Sequence, residues 1–117
     1  MKGLEEEKNL LGGLLLELRR GMLVLSVLSQ MGEPKYGYAL VQSLEKQGVE
    51  IDPNTLYPLL RRLEKQGLLQ SRWETGGSKP RKYYQRTGEG NRIYAQLKTQ
   101  WQKMAAGIEQ LLKEDAI

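Results

Sequence analysis

Apolar residues recur at helical spacing along most of the chain and change to alternation between residues 68 and 86. Residues 1–13 read as an accessory N-terminal extension that ends at Gly12-Gly13. From Leu14 to about Met31, Leu14, Leu18, Met22, Leu25 and Leu28 form one stripe, widened by Leu15, Leu23, Val24 and Val27. That is more apolar surface than one side of a small domain's helix needs. Either the domain itself buries all of it, or part of it, with Leu18 and Met22, meets a second chain. Gly32-Glu33-Pro34-Lys35 then reads as a turn. A second helix follows from Tyr38 to Gln47 with Ala39, Leu40 and Leu44 inward, and Gly48 stops it. Val49-Glu50-Ile51 is a minimal extended segment.

The next stretch carries signals at both ends. Asp52 can cap the first turn, Pro53 suits the first helical position, and Gly67 can take the left-handed conformation that closes the C-terminus. Between them Leu56, Leu59, Leu60 and Leu63 fall on one face. Asn54, Tyr57, Pro58, Arg61 and Lys65 fall on the other, with Arg62 at its margin. Such a face suits the major groove of DNA, or is simply the solvated side of an amphipathic helix. Pro58 removes a backbone hydrogen bond, so either the helix bends there or it starts nearer Thr55. Two short helices in close succession, the second one basic, are the ingredients of a helix-turn-helix.

After Gly67 the period becomes two. Leu69, Ser71 and Trp73 alternate with Leu68, Gln70 and Arg72, Gly76 to Pro80 is a turn, and Arg81 to Arg86 is a second strand. This hairpin is placed as a wing, with Lys79, Arg81 and Lys82 available to phosphates or the minor groove. Thr87 caps a last helix from about Glu89 to Lys113. Its Ile93, Leu97, Trp101, Met104, Ile108 and Leu111 repeat at spacings of four and three, the seam of a helix packed on another helix. At about 1.5 Å per residue it extends beyond the edge of a small domain. It can fold back on the first helix or pair with a second chain. A homodimer is favoured, because a two-fold pair presents two recognition helices to a palindromic site. The expected interface is Leu18, Met22, Leu97, Trp101, Met104, Ile108 and Leu111.

Composition narrows the function. With 117 residues and no cysteine or histidine, the chain reads as one domain without disulfides or the usual zinc constellations, and no metal or cofactor is expected. No apolar run approaches a membrane span, and a cytoplasmic protein is expected. Between Asp52 and Arg86 eight Lys and Arg face three acidic residues, a local balance of +5 in a chain whose total is +4. So confined a basic footprint points to a polyanion such as double-stranded DNA. Carboxylates such as Glu45, Glu64 and Glu109 fall on exposed helix faces or termini, which argues against an enzyme. The competing reading is a winged-helix protein–protein adaptor with an incidental basic face.

Tyr36-Gly37-Tyr38, then Thr55-Leu56-Tyr57-Pro58-Leu59-Leu60-Arg61-Arg62-Leu63-Glu64, then Gly67-Leu68-Leu69, together with Lys79 to Gly90, resemble the PadR family of bacterial transcriptional regulators. The resemblance covers about residues 19 to 112 and is to the short branch, with a single helix after the wing. It implies a mostly α fold with a small β-hairpin: a winged helix-turn-helix over 14–87 and a C-terminal dimerisation helix over 88–117. It also implies a dimeric repressor released from its operator by a small molecule. Carried over by position, Tyr36 and Tyr38 would reach the phosphate backbone, Thr55 and Tyr57 would anchor the recognition helix, and Arg61 would enter the groove. Arg62 and Lys65 would be further contacts or plain solvated charges. In multidrug-binding members of the branch, a tryptophan at the place of Trp101 stacks on flat aromatic compounds, which makes Trp101, with Leu97 and Met104, the candidate effector site.

Overall fold

The computed structural model describes residues 3–115. Its elements are α1 (Gly3–Arg20), α2 (Leu23–Ser29), β1 (Lys35–Tyr36), α3 (Gly37–Lys46), α4 (Pro53–Lys65), β2 (Leu69–Glu74), β3 (Arg81–Arg86) and α5 (Gly88–Lys113). The result is the expected winged helix-turn-helix with a long C-terminal helix.

The caps do what their residue types suggest. The Asp52 side chain accepts a hydrogen bond from the Asn54 amide at 2.8 Å, and Pro53 opens α4. At the other end Gly67 has φ +81°. The Leu68 amide bonds back to the Leu63 carbonyl at 2.9 Å, which satisfies a carbonyl of the last turn. Gly48 closes α3 in the same way, with φ +80° and the Val49 amide on the Leu44 carbonyl at 2.8 Å. Pro58 does not interrupt α4, which runs from Pro53 to Lys65. Its ring lies on the exposed side, where the Asn54 carbonyl that loses an amide donor can be hydrated.

The core is formed by the second half of α2, the inner faces of α3 and α4, and the root of the wing. Leu28, Met31, Leu40, Leu56 and Leu60 are fully buried, with Leu69 and Tyr84 sealing the hairpin side. Each buried leucine contributes about 1.5–3 kcal/mol over leaving it exposed.

Three local expectations are corrected. Gly12-Gly13 does not end a helix; α1 passes through both, and the break falls at Gly21-Met22. A glycine within a helix costs only about 1 kcal/mol relative to alanine, and leucine, glutamate and lysine on either side favour continuation. Lys35 is not only part of a turn. Lys35–Tyr36 is a short strand, paired antiparallel with Tyr84 and Tyr83, so the sheet has three strands in the order β1-β3-β2. Two residues are too few to show a period, and only tertiary pairing makes them a strand. Val49-Glu50-Ile51, conversely, is no strand; Val49 completes the α3 cap and Ile51 fills the core.

α5 is fixed at its first turn. Thr87 caps it, its Oγ1 accepting from the Gly90 amide at 2.9 Å and donating to the Gly67 carbonyl at 2.6 Å. The Thr87 amide donates to the Leu68 carbonyl at 3.1 Å. Gly90 is packed so closely on that carbonyl that a Cβ there would lie 2.0 Å from the Leu68 oxygen. Because the obstacle is backbone, it cannot swing aside. Gly90→Ala is expected to cost about 3 kcal/mol, at the upper end of ordinary overpacking. A thermal or urea melt checks this, and an unchanged midpoint would contradict the close approach.

Candidate nucleic-acid interface

α4 divides as its sequence requires. Leu56, Leu59, Leu60 and Leu63 are buried, while Asn54, Thr55, Tyr57, Pro58, Arg61, Arg62 and Lys65 are exposed. Tyr57 lies across the start of α3. A Cβ at position 37 would sit 2.6 Å from the Tyr57 ring and hydroxyl, so Gly37 is what lets α3 and α4 approach there.

Beside it a groove of about 380 Å³ opens between α4 and the wing. Tyr36, Tyr38, Tyr57, Trp73 and Tyr84 line it with Arg61, Arg81 and Lys82. Tyr36 is half-buried, edge-on to Tyr83 with centroids 5.6 Å apart. The Arg81 guanidinium lies 4.6 Å from the Tyr36 ring centre, a cation–π contact that holds the cation at the groove wall. Tyr38 and Trp73 stand outward, 61% and 63% exposed. Tyr36 is thus a packed residue and Tyr38 an accessible one.

The expected cations separate into different roles. Arg61 is exposed in the groove, and Lys79 is exposed near the hairpin tip. Lys82 is turned toward its own chain: its ammonium is 3.7 Å from Glu64 of α4 and 5.3 Å from the Tyr84 ring centre. Glu64 also accepts a hydrogen bond from the Ser71 hydroxyl on β2. One carboxylate therefore ties the recognition helix to both wing strands. Arg86, part of the same basic stretch, is also structural. Its guanidinium donates to the Leu28 carbonyl and to Asn91 Oδ1 at 2.9 Å, and lies 4.4 Å from the Tyr94 ring centre.

Thr55 and Arg62 are not in the groove. They line a separate cleft of about 330 Å³ with Arg20, Leu23, Val24, Pro58 and Leu59, on the side of α4 that faces the α1–α2 junction. Asn54 and Lys65 are exposed near the two ends of α4. Trp73 is the groove residue that the sequence reading omitted. Its signal was the alternation that sets it on the face of Leu69 and Ser71, the face turned to α4.

A third depression, about 280 Å³, lies between α2 and α5, lined by Met22, Leu25, Ser26, Tyr94 and Trp101 among others. Leu97 and Met104, expected to flank a ligand at Trp101, are exposed outside it. Along α5 Trp101, Met104, Ile108 and Leu111 are all exposed in the single chain, as is Leu18 on α1. Among the described residues no group of three or more acidic side chains is placed to hold a metal ion, and no helix is long and apolar enough to cross a membrane.

Comparison with known proteins agrees with this architecture. Residues 24–96 match the family described as the transcriptional regulator PadR-like family. The chain is similar to the crystal structure of a PadR family transcriptional regulator from Eggerthella lenta, with 52% identity and TM-score 0.88 over 96% of this chain and 100% of that one. It is similar to a PadR-like transcription factor from Bacteroides fragilis, with 31% identity and TM-score 0.70 over 85% of this chain and 98% of that one. A transcriptional regulator of Mycobacterium tuberculosis is 35% identical over 75 residues, 63% of this chain and 70% of that protein.

The Glu64 tie yields a test within the free protein. Glu64→Leu removes both the ion pair and the Ser71 acceptor. With the ion pair about a third exposed, the loss of global stability is expected to stay near 1 kcal/mol or below. Amide exchange in Leu69–Glu74 and Arg81–Arg86 should nevertheless quicken several-fold while α2 and α3 are unchanged. Equal exchange in the variant and the parent would show that Glu64 does not hold the wing.

Proposed function

The chain belongs to the PadR-like family of transcriptional regulators, and on that premise we propose that it is a cytoplasmic, dimeric repressor. It binds a palindromic operator and is released by a small, planar aromatic ligand. The observation that carries the DNA-binding half is the outward face of α4, with Arg61 at the mouth of an aromatic groove and the wing beside it. In this reading Arg61, Asn54 and Tyr57 meet base edges in the major groove. Tyr38, Thr55, Arg62, Lys65, Lys79 and Arg81 meet phosphates or sugars. Tyr36 and Lys82 act one step back, by seating Arg81 and fixing the wing. No residue is assigned to catalysis; family membership makes the chain a regulator rather than an enzyme.

The dimer is supported by the uncovered α5 seam. Leu97, Trp101, Met104, Ile108 and Leu111 follow a helix-packing period and all lie open in the single chain. The effector site is supported by the depression beside Trp101, whose wall is mostly apolar and aromatic. Met22, Leu25 and Tyr94 join Trp101 there.

Two variants separate base reading from phosphate binding. Arg61→Ala is expected to weaken operator binding by about 1–3 kcal/mol and to relax base preference, while Lys79→Ala weakens all duplexes alike and lowers the salt dependence by about one phosphate contact. Selection from a random DNA pool and titrations at several salt concentrations check both. Binding that ignores salt would favour a protein–protein adaptor built on the same fold.

The effector reading is tested by fluorescence. Planar aromatic dyes should quench tryptophan emission in the parent and in Trp73→Phe, and not in Trp101→Leu. Quenching that survives Trp101→Leu and vanishes in Trp73→Phe would move the site to the groove at the wing.

A further inference from the structure

The first helix has no partner in the single chain. α1 is 18 residues long and buries none of them. Leu4, Leu11 and Leu18 are seven residues apart and fall on one stripe with Leu15. Leu4 and Leu18 are 75% and 68% exposed. A solitary helix of this length with two interior glycines is marginal in water, so its stability must come from burying that stripe. At the helical period the stripe continues through Met22 and Leu25, which on α2 line the depression beside Trp101. Beyond Trp101 the seam of α5 is equally bare, at Met104, Ile108 and Leu111.

The two bare stripes therefore begin at the same depression, and neither covers the other. The link between α1 and α2 is a defined turn. The Met22 amide donates to the Arg19 carbonyl at 2.9 Å, and the Ser26 amide donates to the Met22 carbonyl at 2.9 Å. The Ser26 hydroxyl donates to the same oxygen at 2.8 Å. Charge is also complementary. α1 opens with Glu5, Glu6 and Glu7, whereas α5 between Leu97 and Ile108 carries Lys98 and Lys103 and no carboxylate.

We propose that α1 is an exchanged arm: its leucine stripe docks on the exposed α5 seam of a second copy of this chain and closes that copy's depression at Trp101. The inference rests on the dimer reading above and adds that the Trp101 site is incomplete without the partner's arm. It predicts that a ligand at Trp101 touches both chains, and that loosening the arm weakens ligand quenching more than it weakens the fold.

The absence of native cysteine makes a direct test simple. Two differently tagged copies are co-expressed, one carrying Leu11→Cys and the other Met104→Cys, Ile108→Cys or Leu111→Cys, and treated with a short bis-maleimide. All four positions are exposed, so the fold should tolerate them. A mixed-tag covalent dimer with at least one α5 position, together with a several-fold loss of dye quenching in full-length Leu11→Glu/Leu18→Glu, is the expected result. Both cysteines placed in one chain and cross-linked only within it would mean that α1 folds back on its own α5, and the proposal falls. A protein that sediments as a dimer yet gives no cross-link in any pairing also overturns the arm, while leaving the dimer reading in place. A folded monomer at micromolar concentration removes both.

Discussion

The arrangement of this molecule depends on one close contact, the seat of Gly90 on the Leu68 carbonyl. There the first turn of α5 meets the root of the wing with no side chain between them, and Thr87 ties the same turn to Gly67. The residue that ends α4, the residue that starts β2 and the cap of α5 thus form a single knot. Its consequence is directional. The recognition helix, the wing and the long helix are fixed relative to one another within a few residues, so any dimer made through α5 also sets where the two α4 faces point.

Around that knot the basic residues divide by what surrounds them, not by their charge. Arg86 lies on Tyr94 and donates to the end of α2, so it is a strut. Lys82 answers Glu64 and holds the hairpin against α4. Arg81 rests on a tyrosine at the groove wall, and Arg61 and Lys79 stand toward solvent. The Arg86–Tyr94 pair has a second side. Tyr94 also lines the depression at Trp101, so in the proposed mechanism a ligand that moves Tyr94 acts on a residue of β3. The effector site and the wing would then be linked by contact through two side chains, with α5 as the rigid element between them.

The sequence alone determined whatever local chemistry fixes. The Asp52 cap, Pro53, the left-handed Gly67 and the leucine face of α4 are each specified within one or two turns of chain. The hairpin declared itself through its period of two, and α5 through its cap and seam. Tertiary structure decided what depends on distant partners. β1 exists because Tyr36 meets Tyr83 across 47 positions of sequence. Trp73 joins the groove because the wing bends its face to α4, and Lys82 leaves the list of free cations because Glu64 is within reach. The same reason explains why Gly12-Gly13 misled and Gly37 and Gly90 were not singled out. A glycine in a sequence signals only freedom of backbone; whether that freedom is used for a close approach is set by the atom opposite it, and that atom belongs to another element.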